Sequence, residues 1–439
     1  MKKEINYSDS KSIHNIWTDS VGFYGKTNPI QLVEKYGSPL YVYSESILRK
    51  RCNQVKEMIQ YPDYKINYSA KANTNLSLLK IVRDEGLLID AMSPGEIFLE
   101  LEAGFKTGEI LFIGNNVSSE EMLYAINKGI LTSVDSMSQL DQYGKLDPGG
   151  KVVIRINPGI GVGHNEKVTT GGWNTKFGID PAFIDDIKLI LAKYNLHLIG
   201  LSQHIGSLFM NDNASHYIDA AEFLLSYAAN FPEIEFVDFG GGFGIPYRKG
   251  DGELPLNLKY LGIRLEKIVK DWIVKNDRNI TIKIEPGRFI VAECGVLLGK
   301  VHSIKVNCKN DNLKKAKVQK KYIGTDVGFN VLLRPVLYNS HHDIEIYSVT
   351  NRESSETELV TIVGNICESG DIIAKDRDLP IIIEDDILGI LDSGAYGLAM
   401  SSNYNCRLRP AEVLITSAGE DILIRKREVL DDLFLPFKI

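Results

Sequence analysis

The chain has 439 residues, 44% hydrophobic and 24% charged, an ordinary globular balance with room for more than one core. A net charge of −7 excludes the basic surface of a nucleic-acid-binding protein, so no nucleic-acid partner is expected. No run of roughly 18 apolar residues occurs, so no membrane span is expected either. Five cysteines, at 52, 294, 308, 367 and 406, form no CxxC pair and no metal-ligand spacing. That pattern fits reduced thiols in the cytoplasm. The opening MKKEINYSDSKS carries lysines without the apolar stretch of a signal peptide.

The run PLYVYS opens the ordered pattern as a strand. Eight short apolar, β-branched runs follow, at 64–70, 87–92, 109–114, 130–135, 151–158, 197–206, 234–241 and 281–288. Stretches with helical spacing lie between them, such as NLSLLKIVRDEG, SPGEIFLELEAG and SSEEMLYAINKG. Several begin at Ser, Asn or Pro and end at Gly, as helix caps require. Eight alternating units over this length predict an eight-stranded β/α barrel of the TIM type in preference to an open doubly wound sheet. Past residue 300 strands follow strands, as in VLLGKVHSIKV, KYIGTDV, IEIYSVT, ELVTIVG, DILGILDSG, AEVLITSAG and EDILIRKREV. Residues 307–321 read as an exposed hairpin tip, and the run Lys314–Lys321 as a solvated loop. The expected fold class is α/β plus all-β. Residues 1–44 and 301–439 build a β-sandwich or β-barrel domain from both chain ends, and the barrel spans 45–300.

A barrel carries its site at the C-terminal ends of its strands. Taken in order, those ends offer Lys71, Ser93, Asn115, Asp135, Arg155, His204, Gly240–Gly242 and Glu285–Arg288. Lys71, in YSAKAN, is either a Schiff-base lysine in the mouth or a solvent-facing loop lysine. The GGG of VDFGGGFGIPY lets backbone N–H groups approach an anion, and EPGR adds a glycine and an arginine beside it. His204, in HIGS, either stacks on a flat ring, with Ser207 near a phosphate, or is a satisfied core histidine. Glu285 either faces a pyridine nitrogen or pairs with Arg155. In the β domain, CESGD, GAYG and RPVLY stand as plain turns or as site segments.

Together these motifs resemble the alanine-racemase-like (fold type III) pyridoxal phosphate (PLP) decarboxylases, and within them the diaminopimelate decarboxylase family. YSAKAN, DAMSPGE, KFGI, HIGS, the glycine loop, EPGR, RPVLY, CESGD and GAYG follow the family's order from about residue 38 to 437. The resemblance implies PLP on Lys71, with His204, Ser207, Gly241, Gly242, Glu285, Gly287, Arg288 and Tyr396 around it. Arg288, Arg334, Tyr338, Glu368 and Tyr396 are the implied substrate contacts. Cys367 is the implied proton donor, contributed with Glu368 by the second subunit of a head-to-tail homodimer. The implied reaction converts meso-2,6-diaminopimelate to L-lysine and CO2. Two arginines suit a dicarboxylic substrate, because arginine grips carboxylates bidentately.

Departures from the family wording gather near the substrate mouth. Ser202 and Gln203 precede His204 where a histidine two residues earlier is usual, and Leu208 replaces a common glutamine. The segment GVGHNEKVTTGGWNTKFGI is also unusually long. Related enzymes acting on D-ornithine, D-lysine, carboxynorspermidine or siderophore and antibiotic intermediates therefore stay open as alternatives. A non-catalytic regulator is disfavoured by the presence of both Lys71 and Cys367, and a racemase by the CESGD run.

Overall fold

The computed structural model describes residues 16–163, 169–311, 316–350 and 356–438. The opening MKKEINYSDSKS, part of the long mouth segment and part of the Lys314–Lys321 run lie outside them. Two compact units result, one from Leu48 to Glu293 and one joining the chain up to Ile47 with Cys294 onward.

The first unit is a closed barrel of eight parallel strands. They are Tyr64–Ser69, Leu88–Ala91, Ile110–Phe112, Leu131–Val134, Lys151–Arg155, His197–Ser202, Phe236–Asp238 and Thr281–Ile284. Every one falls inside an apolar run picked out from the sequence. Closure is direct: Ile282 and Ile284 of the last strand pair with Tyr64 and Ile66 of the first. Parallel strands are covered on both faces, which is why they appear as continuous apolar runs rather than alternating ones.

Helix starts at the mouth are fixed by short polar side chains. Asn75 accepts from the Ser77 N–H, Ser93 from Glu96, Ser118 from Glu121 and Ser136 from Gln139. At Ser118 the bond is reciprocal, because the Glu121 carboxylate takes the Ser118 N–H. Each such cap is worth about 1 kcal/mol. Together they hold the strand-to-helix loops, and so the mouth, in place.

The second unit is a nine-stranded mixed sheet, with Ile372–Pro380 and Asp421–Arg425 at the ends of its main run. Leu40–Ser44 lies inside it, antiparallel to Gly295–Leu298 and parallel to Ala411–Ile415. Gly295–Lys300, which the sequence division left with the barrel, therefore belong to the sheet by their pairing. Leu40 and Val42 join Val296, Leu298 and Val413 in one core cluster. Tyr41 and Tyr43 stack in near-parallel planes at 6.2 Å and send their hydroxyls to the Val331 carbonyl and the Glu412 carboxylate. Both faces of this strand are thus buried.

Two features differ from the sequence reading. The hairpin ladder between Gly295–Asp311 and Ala316–Thr325 continues to the pair Asp311–Ala316. Much of the stretch read as a hairpin tip is therefore paired strand. Ile372–Pro380 is a strand that the sequence reading did not pick out, because the charged residues Lys375 to Asp378 fill its centre. Among the described residues it pairs only with Thr357–Val363, so its Lys375, Asp376, Arg377 and Asp378 occupy a sheet edge. Charged residues are what protect such an edge from further pairing.

Candidate active site

The turn Ala70–Ala72 follows the first barrel strand and carries Lys71. Ala70 and Ala72 are buried, whereas Lys71 is half-buried. The Tyr68 hydroxyl ties the turn down by donating to the Asn73 carbonyl at 3.0 Å. Gly287 packs on the same turn, where an added Cβ would stand 3.0 Å from the Ser69 side chain.

Charged groups converge on Lys71. Its ammonium acts on Asp90, Glu96, Glu285 and His204. Burial, followed by the positive charges of Lys71 and Arg155, pushes His204 well below the usual histidine range. The imidazole is therefore neutral, and its Nδ1 faces the Gly206 N–H at 3.4 Å. Glu285 is 4% exposed. Burial, then the charges of Asp238 and Asp90, holds its carboxyl well above the usual range, although Lys71 and Arg155 oppose this. Arg155 does lie near Glu285, as the sequence suggested, yet the one hydrogen bond it donates among the described residues goes to the His204 carbonyl. Its guanidinium also sits 4.7 Å above the Phe177 ring. Asn115 donates to Asp135 on the far rim. Ser93 is used as a helix cap.

The glycine loop follows the strand Phe236–Asp238. Gly240 and Gly242 have φ of +75° and +99°, and a Cβ on Gly241 would meet the Glu285 carbonyl oxygen at 1.9 Å. Side chains are therefore excluded along this loop, which leaves bare backbone. Across from it, Arg288 is 6% exposed. It donates to Ser207 Oγ at 2.7 Å and to the Tyr247 hydroxyl at 2.8 Å. Ser207 and Arg288 are thus one unit, and Tyr247 is a member that the sequence reading missed. Leu208 beside them has a left-handed φ of +64°. That conformation is uncommon for a bulky side chain.

A small cavity in the mouth is lined by Ser133, Asp135, Arg155, Gln203, His204 and Glu285, among others. Gln203 is 1% exposed, and neither polar atom of its amide has a hydrogen-bond partner among the described residues. A primary amine, a neutral imidazole, a proton-holding carboxyl and a glycine cradle beside serine and arginine together match PLP. The aldehyde, ring face, ring nitrogen and phosphate each find suitable chemistry.

Buried acids extend behind Lys71. Asp90 accepts from Ser69 Oγ at 2.9 Å and keeps its other oxygen unpartnered among the described residues. Glu100, fully buried, has no partner for either oxygen among them. Burial, then the Glu96 charge, pushes Glu100 up to about 8. The unfolded carboxyl releases its proton near 4.5. Folded protein therefore holds more protons between these values. Stability is fully present below about pH 4.5 and falls as pH rises to about 8. Glu100→Gln removes this titration. Its melting temperature relative to the parent is expected to climb by about 5 °C between acidic and mildly basic pH. Parallel melting-versus-pH curves would contradict it.

The remaining candidates lie in the sheet unit. Arg334 is 1% exposed and donates from Nη1 to His342 Nε2 at 3.0 Å. His342 Nδ1 in turn faces the Leu391 carbonyl at 2.7 Å. Tyr338 ends the same short helix, Arg334–Tyr338. Tyr396 is half-buried with φ +56°. Cys367 and Glu368 are exposed on a turn. Asp371 anchors that turn, accepting the N–H groups of Phe329 at 2.7 Å and Ile366 at 2.8 Å. Asn405 Oδ1 accepts the Cys367 N–H at 3.0 Å, and its Nδ2 lies 3.2 Å from Cys367 Sγ. The Tyr404 hydroxyl donates to Glu368 at 2.5 Å. Asp371 closes the CESGD run singled out in the sequence, whereas Asn405 did not stand out there.

Comparison with known proteins agrees with this geometry. Residues 45–292 match the model of the pyridoxal-dependent decarboxylase, pyridoxal binding domain. A diaminopimelate decarboxylase from Methanothermobacter thermautotrophicus is 37% identical, across 93% of this chain and 94% of its own. One from Escherichia coli K12 is 31% identical, across 92% and 95%. The structure of the Helicobacter pylori diaminopimelate decarboxylase in complex with L-lysine superposes with a TM-score of 0.83 at 30% identity, covering 94% of this chain and 99% of that one. The chain belongs to the diaminopimelate decarboxylase family of PLP-dependent decarboxylases. Its cofactor is PLP, and its reaction class is the removal of a carboxyl group.

Proposed function

We propose that this enzyme converts meso-2,6-diaminopimelate to L-lysine and CO2. The observation that carries the reading is the near-full-length likeness to a decarboxylase whose structure holds L-lysine. The family resemblance also assigns two arginines, Arg288 and Arg334, to the substrate, which suits a dicarboxylic acid better than a simple diamine precursor.

In this reading Lys71 holds the cofactor aldehyde and His204 lies against the ring. Glu285 faces the ring nitrogen, with which it shares its proton. Gly241, Gly242, Gly287, Ser207 and Arg288 hold the phosphate, and Tyr396 also contacts the cofactor. When bound, PLP supplies an electron sink for the pair left as CO2 departs. Arg288, Arg334, Tyr338 and Tyr396 orient the substrate, and Glu368 meets its distal amine. Cys367 gives the proton that replaces CO2. This acid comes from the second copy in a homodimer. Free cysteines throughout the chain support a reducing, cytoplasmic setting. No helix among the described residues is long and apolar enough to cross a membrane.

The test is a decarboxylation screen over meso-diaminopimelate, D- and L-lysine, D- and L-ornithine, arginine and carboxynorspermidine. Equal amounts of lysine and CO2 from diaminopimelate alone are expected. CO2 from another member, with no lysine from diaminopimelate, would transfer the assignment to that substrate.

A further inference from the structure

Two adjacent residues on one turn grip two adjacent residues on another. Tyr404 binds Glu368, and Asn405 binds Cys367. The grip of Asn405 is double, because its carbonyl oxygen takes the Cys367 backbone N–H while its amide nitrogen reaches the sulfur. Asn405 has a left-handed φ of +54°, a conformation that asparagine tolerates better than most residues. The base of this clamp is anchored. The Tyr404 ring stacks on Phe329 with centroids 5.6 Å apart. The Phe329 N–H is held by Asp371, which also holds the Ile366 N–H beside Cys367.

The polarity of the contact matters for a proton donor. An amide N–H pointing at sulfur uses a lone pair and leaves the S–H hydrogen free to point elsewhere. When the thiol gives that proton to carbon, the S–H bond breaks and the sulfur keeps the electron pair as a thiolate. The same N–H then faces a full negative charge, and a hydrogen bond to a charged group is stronger than one to a neutral group. The contact therefore strengthens as the proton leaves, which lowers the barrier to that step rather than tightening substrate binding. Solvent returns the proton to the thiolate before the next turnover.

We infer that Asn405 is a positioning residue that aims the Cys367 thiol and stabilises the thiolate it becomes, with Tyr404 fixing Glu368 alongside. The inference rests on the reading of Cys367 as the proton donor. Asn405→Asp is the diagnostic change. It keeps the left-handed turn and the acceptor for the Cys367 N–H, but it sets a carboxylate against the sulfur. Asn405→Gly keeps the turn and removes the amide altogether.

Two measurements on the full-length protein separate the outcomes. The first is the rate at which iodoacetamide alkylates Cys367 in protein without cofactor. It is followed by peptide mass spectrometry, with the exposed Cys308 as the reference in the same chain. For Asn405→Asp it is expected to fall at least about fivefold, the reference being unchanged. The second is steady-state kinetics of the holoenzyme on diaminopimelate. For both variants kcat is expected to fall about tenfold with KM within about twofold. Melting temperatures matching the parent confirm that the fold is intact. Parental alkylation and parental kcat in Asn405→Asp would overturn the inference. A parental kcat in Cys367→Ser would instead remove the proton-donor reading, while the alkylation rates would still report the grip of Asn405.

Discussion

Lys71→Ala protein is expected to fold and to bind PLP reversibly, but to lose the absorbance of the lysine-bound cofactor and at least about 10³-fold in kcat/KM. The turn around Lys71 explains why the fold should survive. Its neighbours are two buried alanines, and its shape is set by the Tyr68–Asn73 hydrogen bond and by packing on Gly287. None of these needs the lysine side chain. The ammonium does face Asp90, Glu96 and Glu285, so its loss removes the cation that acts on Asp90 and Glu96 and leaves Glu285 with Arg155. They meet that loss by keeping their protons, as burial already inclines them to do. The glycine loop and the Ser207–Arg288 pair are untouched, so phosphate binding persists. Wild-type absorbance in the variant would show that the cofactor is attached elsewhere.

Cys367→Ala is the second large effect. It is expected to keep the bound-cofactor absorbance and to lose between about 10² and 10⁴ in kcat, the range for a positioned general acid. The separation from Lys71→Ala is the informative part, since one change removes attachment and the other only the proton. The proposed sharing of the acid between the two subunits of a homodimer predicts more. When the two inactive variants are mixed and allowed to exchange subunits, half of the dimers are hybrids. Each hybrid regains one complete site, so about a quarter of parental activity should return. No recovery after verified exchange would place Lys71 and Cys367 in the service of the same chain.

Much of the barrel was legible because its physics is local. Parallel strands covered on both faces must be apolar throughout, and their helices must start at a cap. Both leave marks in the sequence, from Ile110–Phe112 to Ser118 with Glu121. The sheet unit was harder at its margins. Ile372–Pro380 lies at an edge, so its sequence answers to solvent and hides its strand character. In the site, the glycine loop and EPGR were visible because backbone approach restricts residue choice. Asp90 gave a weaker signal, as an acid inside the apolar run LLIDAM. An uncompensated acid in a buried strand needs a partner, and Lys71 is the cation that acts on it. Asn405 and His342 gave none. Their importance comes from contacts across the fold, between residues that sequence spacing does not relate.

The placement of PLP on Lys71 is the claim from which the rest follows. Its most direct test is borohydride reduction of the holoenzyme, followed by peptide mapping of the fixed phosphopyridoxyl group. The group is expected on the peptide carrying Lys71 and on no other. Its recovery on Lys176, which also approaches Asp135 at the mouth, or on Lys283 of the last barrel strand would contradict the account.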